Sequence, residues 1–191
     1  MVSEKDWRNI EYLKAGNDKQ KLIYRILTET NILSVLKDFD PIVVGTIPIG
    51  IDIENSDIDI VCSVSDFEKF RYIVRQNFSQ HDAFSDRIQG EKQAYVANFY
   101  HLKQEIEIFA QDMPSNLQNG FRHMLIEDRI LCLAGESFRQ KIISLKSQGY
   151  KTEPAFGKLL NLKDPYSDLL HFENFPDQEL LQIIQTESCS F

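Results

Sequence analysis

Two aspartates separated by a single residue form the part of this sequence best suited to chemistry. Asp57 and Asp59 alternate with Ile58 and Ile60. On a β-strand this spacing sends both carboxylates to one face and both isoleucines to the other. Acids on a buried strand are costly unless a cation or a polar cleft receives them. Because Mg²⁺ prefers carboxylate and phosphate oxygens, the pattern predicts a magnesium site at the mouth of a small α/β sheet.

A glycine-containing turn precedes the two aspartates. The apolar run from Pro41 ends in Val44-Gly45-Thr46. Glycine lets the backbone approach a ligand closely, and Thr46 adds a hydroxyl and an N–H donor. Such a turn can hold phosphate oxygens.

A third acid is expected from a neighbouring strand. Glu107 lies between two isoleucines, 48 positions after Asp59 (107 − 59). Glu105 and Asp112 are alternatives, but Gln104 rather than an apolar residue precedes Glu105. Three acids that hold two metal ions can activate an attacking hydroxyl and stabilise a pyrophosphate leaving group, as in-line nucleotidyl transfer requires.

The surrounding pattern predicts helices on either side of a β-rich middle. Residues 4–39 have helical periodicity with a break at 15–17, and a capped helix is predicted over Phe67–Phe78. Strands are predicted at 41–46 and 57–64 and within 84–110, the last with a hairpin near Leu102-Lys103. After Pro114 the pattern is helical, so we expect a core over 1–113 and a helical region over 114–191.

Composition narrows the functional class. The chain has 191 residues and a net charge of −8, which disfavours binding long nucleic acid through phosphate contacts. A segment from 119 to 163 carries eight Lys or Arg against four acids and suits a triphosphate. We expect no membrane segment and a cytoplasmic location, since there is neither a long apolar run nor a signal-peptide pattern.

The three cysteines are expected to be reduced, with Cys62 and Cys132 packed as small apolar residues.

The glycine turn, the paired aspartates and the later acid together resemble the polymerase-beta-like nucleotidyltransferase superfamily. The matching residues are Val44-Gly45-Thr46, then ten residues, then Asp57-Ile58-Asp59-Ile60, and later Ile106-Glu107-Ile108. Within the superfamily the chain looks most like an uncharacterised bacterial branch, a nucleotidyltransferase-like domain of unknown function. Residues that carry this likeness include Gly45–Ile51, His123-Met124 with Glu127, and Lys151–Phe156.

The resemblance implies a mixed β-sheet core flanked by helices, with a helical substrate-side region. It implies Mg²⁺, or Mn²⁺ in its place, and a nucleoside triphosphate whose nucleotidyl group passes to an unknown acceptor: a small molecule, a protein or an RNA end. The implied metal ligands are Asp57, Asp59 and Glu107. The implied phosphate contacts are Gly45, Thr46 and Ser56.

One position departs from the pattern. Related enzymes often carry Arg four residues after the motif glycine, where this chain has Ile49. Lys151, Lys158 or Arg122 would then have to bind the triphosphate. Ile49 also motivates a second hypothesis, a nucleotide-sensing or partner-binding module without turnover. A third is an antitoxin-like nucleotidyltransferase that modifies a partner protein.

His123 and Glu127 form the remaining polar pair of note. They are four residues apart on a predicted helix. This spacing is typical of a surface pair or of residues that support a neighbouring site.

Overall fold

The computed structural model describes residues 5–90 and 93–188. The chain divides into two compact units. The first comprises residues 1–50 and 56–121, and the second comprises residues 51–55 and 122–191. The expected domain division at Pro114 stays a prediction.

A five-stranded mixed sheet forms the centre of the first unit. Its strands are β1 (Ile42–Val44), β2 (Ile58–Ser63), β3 (Asp82–Gln89), β4 (Ala94–His101) and β5 (Gln104–Gln111). Their order in the sheet is β1-β2-β5-β4-β3, and β2 and β5 are parallel whereas the other neighbours are antiparallel. Leu102 and Lys103 connect β4 to β5 as a two-residue hairpin, as predicted. The mixed-sheet α/β fold class is thus confirmed.

Short helices accompany this sheet. The α-helices of the first unit are α1 (Asp18–Glu29), α2 (Ile32–Val35) and α3 (Phe67–Phe78). Short 3₁₀ helices lie at Ile10–Ala15, Lys37–Phe39 and Ser115–Leu117. The predicted break is present because Gly16 ends the first turn and Asn17 caps α1 in a reciprocal capping box with Gln20.

The hydrophobic core lies on one face of the sheet. Ile58 and Ile60 of β2 are buried there with Ile106 and Ile108 of β5. The same cluster contains Phe70 and other residues of α3, together with residues of α1. Because side chains alternate along a strand, Asp59 and Glu107 are on the opposite face. The core packing therefore determines which face carries the acids.

The second unit is helical. Its helices are α4 (Asn119–Ala134, whose first three residues belong to the first unit), α5 (Glu136–Ser147), α6 (Thr152–Leu159), α7 (Pro165–His171) and α8 (Asp177–Ser188). A Cβ added to Gly157 of α6 would collide with the Pro165 ring, so α6 and α7 pack closely. Within the described ranges, no helix combines the length and the apolar character needed to cross a membrane.

The cysteines follow the sequence-based expectation only in part. Cys62 is fully buried, and burial raises the pKa of its thiol. Cys132 is exposed, because its position on α4 faces away from the buried side of that helix, so the prediction that it packs as an apolar residue was wrong. Cys189 lies outside the described residues.

A buried carboxylate joins α3 to the sheet. Asp86 of β3 accepts hydrogen bonds from Arg75, Arg71 and the Tyr95 hydroxyl. Its side chain is only 4% exposed. The hydrogen bond from Arg75, opposed in part by desolvation, holds the pKa of Asp86 below its ordinary value. This contact should therefore stabilise the folded protein.

Replacing Asp86 with asparagine (Asp86→Asn) should lower the free energy of unfolding at pH 7 by about 2 kcal/mol, because hydrogen bonds to a charged group are lost. The lowered pKa means that the folded state gains this stability above the unfolded value of about 4 and loses it as the pH falls further. Urea unfolding of both proteins from pH 7 to pH 2.5 measures the difference, which should shrink below about pH 4. Asp82→Asn, at an exposed position of the same strand, is the control. An equal loss in both variants would contradict the assignment.

Candidate functional site

Asp59 and Glu107 lie side by side on adjacent strands. In the parallel pairing of β2 with β5, Asp59 is the Cα partner of Glu107 and Ile58 is the partner of Ile106. Neighbouring strands are about 4.8 Å apart, so the two carboxylates leave the same face within reach of a shared ion. Asp57, just before β2, has the same parity as Asp59 and points to this face.

Gly45 provides the space that the Asp59 carboxylate occupies. Val44, the last residue of β1, pairs with Asp59, and Gly45 then turns with a φ of +82°. A Cβ added to Gly45 would collide with Oδ2 of Asp59. Glycine is therefore required here for two reasons: the backbone conformation has a positive φ, and the Asp59 carboxylate leaves no space for a Cβ.

The sheet face that carries Asp59 and Glu107, here called the acidic face, also carries polar residues of β4 and β5. Asn98 is the Cα partner of Glu107, and its amide donates to Glu107 Oε2 at 3.2 Å and to Glu105 Oε1 at 3.3 Å. Tyr100 donates to Glu105 Oε2 at 2.8 Å. This hydrogen bond, then the charges of Glu105 and of Asp57, raise the pKa of Tyr100. Glu105 thus already has two donors, and both it and Asp57 lie near Tyr100.

The three candidates for the third metal-binding acid, which are Glu107, Glu105 and Asp112, lie at different places in the sheet. Glu107 lies opposite Asp59 in register, and Glu105 is two residues nearer the start of β5 on the same face. Asp112 is exposed and follows the end of β5. It lies five positions after Glu107, or about 16 Å away at the usual rise of a strand. The register therefore favours Glu107 and disfavours Asp112, although the choice of ligand remains a proposal.

The loop before Asp57 is held at its end by hydrogen bonds that are buried or partly buried. Thr46 Oγ1 donates to Ser56 Oγ at 3.3 Å, and Ser56 is 8% exposed. Gln104, the first residue of β5, donates to the Ser56 carbonyl at 2.6 Å and accepts from Lys19 Nζ at 2.5 Å. No local sequence pattern indicates this role of Gln104 or the contacts of Asn98, because both depend on strand register.

Gln104 should act as a positioning residue for the segment that leads into Asp57. Gln104→Leu removes both hydrogen bonds at nearly constant size, and leaves the buried Ser56 carbonyl without this donor. We expect the free energy of unfolding to fall by about 1–3 kcal/mol, measured by urea unfolding. Gln76→Leu, at an exposed position of α3, is the matched control and should change stability little. The role of Gln104 would be refuted by equal stability of the two variants.

The apolar loop after Thr46 packs inside the protein. Ile47 is 1% exposed and belongs to the core cluster, and Ile49 is 4% exposed. An arginine at position 49 of this chain would have to bury its charge. Ile49 is therefore a packing residue here.

The two predicted phosphate-binding lysines are in the second unit. Lys151 is exposed at the N-cap position of α6. Lys158 Nζ donates to the Tyr150 hydroxyl at 3.0 Å and lies 4.6 Å from the centre of that ring. A contact of either lysine with a triphosphate stays a prediction.

The spacing of His123 and Glu127 left two alternatives, a surface pair or residues that support a neighbouring site. Both side chains are buried in α4, at 8% and 3% exposure. The surface alternative is wrong, because the helix face that carries them also buries Met124 and Ile130, whereas the supporting role stays a prediction.

A family model for a domain of unknown function, DUF4269, matches residues 25–172. The chain belongs to the DUF4269 family. In this member the matched region contains the glycine turn, all three acids and helices α4 to α7. No curated protein matches the chain.

Solved structures share the fold of this DUF4269 member at low identity. The Cid1 poly(U) polymerase bound to Mg and 3′-dATP has a TM-score of 0.56 and 14% identity over 80% of this chain and 48% of its own. The GLD-2/RNP-8 complex has a TM-score of 0.51 and 14% identity over 88% of this chain and 66% of its own. A cytoplasmic RNA terminal U-transferase has a TM-score of 0.50 and 14% identity over 79% and 43%.

These likenesses concern the fold. The DUF4269 chain spans about half the length of most of these structures. The nucleotidyltransferase-like architecture implied by the sequence is confirmed, whereas the bacterial origin of the chain stays a prediction.

Proposed function

We propose that this DUF4269 protein transfers a nucleoside monophosphate from a nucleoside triphosphate to a hydroxyl of an acceptor. The pairing of Asp59 with Glu107 across the parallel strands β2 and β5 is the observation that carries the proposal. It brings two acids that are distant in sequence to one face, next to Asp57 and the glycine turn. The fold shared with the Cid1 poly(U) polymerase, crystallised with Mg and 3′-dATP, supports it.

The donor set fits magnesium. Asp57, Asp59 and Glu107 offer only carboxylate oxygens, which Mg²⁺ prefers, and Mn²⁺ accepts the same ligands. Asn98 holds one oxygen of Glu107 by a hydrogen bond and so orients that carboxylate. When bound, the cation would activate the attacking hydroxyl and stabilise charge on the leaving pyrophosphate.

The chain's own groups would perform the remaining steps. The acceptor oxygen forms a bond to the α-phosphorus, the bond from that phosphorus to the bridging oxygen breaks, and pyrophosphate leaves. Asp59 or Glu107 accepts the hydroxyl proton. Gly45 and Thr46 let backbone N–H groups approach the phosphates, with Ser56 hydrogen-bonded to Thr46 behind them.

The acceptor class is proposed more broadly. A small molecule, a protein side chain and an RNA end all present a hydroxyl, and the solved neighbours include an RNA terminal U-transferase. A net charge of −8 favours an acceptor that needs few phosphate contacts.

Pyrophosphate release tests the proposal. The protein is incubated with each of the four nucleoside triphosphates, Mg²⁺ or Mn²⁺, and small-molecule, protein or short-RNA acceptors. We expect metal-dependent release of pyrophosphate with transfer of label to one acceptor class. Calorimetric titration with a non-hydrolysable triphosphate and Mg²⁺ accompanies it. If there is neither transfer nor binding, the proposal is wrong; if there is binding without transfer, the nucleotide-sensing alternative replaces it.

A further inference from the structure

Three side chains of the second unit converge at a place that the proposed transfer does not use. His123 and Glu127 lie one helical turn apart on α4, and Glu153 lies in the first turn of α6. One ring nitrogen of His123 and one carboxylate oxygen from each acid all lie within 4.8 Å of one another. Residues of types that commonly bind metals therefore point to one small volume.

Two of these side chains are buried with unused polar atoms. His123 is 8% exposed and Glu127 is 3% exposed. His123 Nδ1 and Glu127 Oε1 are inaccessible to solvent and make no hydrogen bond within the described part of the chain. Buried polar atoms nearly always have partners, so two such atoms in one cluster call for an explanation.

The charged neighbours do not supply that explanation. Lys146 is the cation that acts on Glu127, and its ammonium donates to the Ile51 carbonyl at 2.8 Å. Arg122 acts on His123, but its guanidinium donates to the Glu173 carboxylate. Burial, followed by the charge of Glu153, raises the pKa of Glu127 well above its ordinary value, although Lys146 acts in the opposite direction. The ring of Tyr166 lies edge-on to His123 at 6.4 Å between centroids. The cost of burying Glu127 thus remains largely uncompensated by these groups.

We propose that His123, Glu127 and Glu153 bind one divalent transition-metal cation, separately from the acidic face of the sheet. A neutral imidazole and two carboxylates carry a charge of −2, which balances such a cation. Three protein ligands leave a fourth position for water or a small molecule.

The distances suit this ion after small side-chain movements. Ligands about 2.1 Å from a tetrahedral metal are about 3.4 Å from one another. The three ligand atoms lie within 4.8 Å of one another. Side-chain movements of about 1 Å would therefore bring them to the separation that a tetrahedral metal requires. The helix already fixes His123 and Glu127 on one face at i and i+4 spacing.

The imidazole determines the class of ion. Nitrogen ligands favour Zn²⁺ and related transition metals, whereas Mg²⁺ prefers an all-oxygen, largely hydrated shell. This site should therefore bind Zn²⁺ more tightly than Mg²⁺, and its preference for Zn²⁺ should exceed that of the all-oxygen acidic face of the sheet.

Calorimetric titration with Zn²⁺ tests the proposal on the full chain after dialysis against a chelator. We expect one equivalent to bind, and to raise the midpoint of thermal unfolding by about 5–10 °C at a free Zn²⁺ concentration of 100 times the Kd. Glu127→Gln and Glu153→Gln should each weaken binding at least about 100-fold, since even loss of outer-shell partners costs about 10–100-fold. Glu179→Gln, at an exposed acid of α8, should leave binding unchanged.

Two further comparisons separate this site from others. Without metal, Glu127→Gln should be at least as heat-stable as the wild type, because a neutral amide costs less to bury than a carboxylate. Asp59→Asn should retain Zn²⁺ binding, so failure of the proposed transfer would leave this result unaffected. The proposal is overturned if the wild type binds no Zn²⁺, or if Asp59→Asn removes the binding that Glu127→Gln and Glu153→Gln preserve.

Discussion

Asp59→Asn should reduce metal-dependent nucleotidyl transfer by about 10³-fold, the equivalent of losing about 4 kcal/mol of transition-state stabilisation. Asparagine keeps the size of the side chain but removes one negative charge opposite Glu107. The register of β2 and β5 does not depend on this carboxylate, because the Ile58 and Ile60 side chains on the other face are in the core. The fold should therefore survive while the chemistry is lost.

Initial rates of pyrophosphate release measure the effect, and circular dichroism with thermal unfolding establishes that the variant is folded. Asp112→Asn is the matched control, since Asp112 is an exposed acid beyond the end of β5. It should retain the wild-type rate. Activity of Asp59→Asn within threefold of the wild type would rule out Asp59 as a metal ligand.

Gly45→Ala should damage both stability and function. A non-glycine residue at φ +82° is strained, and the new Cβ would collide with Oδ2 of Asp59. Left-handed strain costs roughly 1–2 kcal/mol, and forcing a neighbouring group to move adds about 1–3 kcal/mol. Because the group that must move is the Asp59 carboxylate, we expect weaker Mg²⁺-dependent activity in the protein that remains folded.

Gly149→Ala separates the two contributions. Gly149 has a φ of +96°, and a Cβ there meets nothing within 4 Å. It should show the backbone cost alone, measured by urea unfolding, with the rate of pyrophosphate release unchanged. Equal destabilisation and equal activity in the two variants would show that the contact with Asp59 is unimportant.

The sequence predicted the two faces of β2 better than it predicted the contacts around them. Alternating Ile and Asp in β2 defined two faces, and this local pattern needs no knowledge of tertiary structure. The hairpin at Leu102-Lys103 also depends on a local sequence pattern, and its prediction is confirmed. Asn98 and Gln104 could not be identified, because their roles arise only when β4, β5 and the loop before β2 are paired. Such contacts depend on register, which a single sequence does not specify.

Besides strand register, the burial of individual side chains could not be predicted from the sequence. Ile49 occupies a position where enzymes of the superfamily that the sequence resembles often carry arginine, and only the structure shows that this side chain is buried. The His123 and Glu127 spacing is equally compatible with an exposed and a buried helix face. In the structure α4 buries most of its surface, and this is why both side chains are buried. The other buried residues of this helix include Phe121, Met124, Ile126, Ile130 and Leu131.

The parallel pairing of β2 with β5 has a consequence for the order of folding. β4 and β5 can associate through a two-residue turn, whereas β2 must close a loop of 48 residues before Asp59 meets Glu107. Closing the longer loop costs more chain entropy and is slower. The acidic face therefore assembles only once β2 has paired with β5. A cation bound there recognises the native state alone, so Mg²⁺ should slow unfolding without accelerating formation of the β4–β5 hairpin.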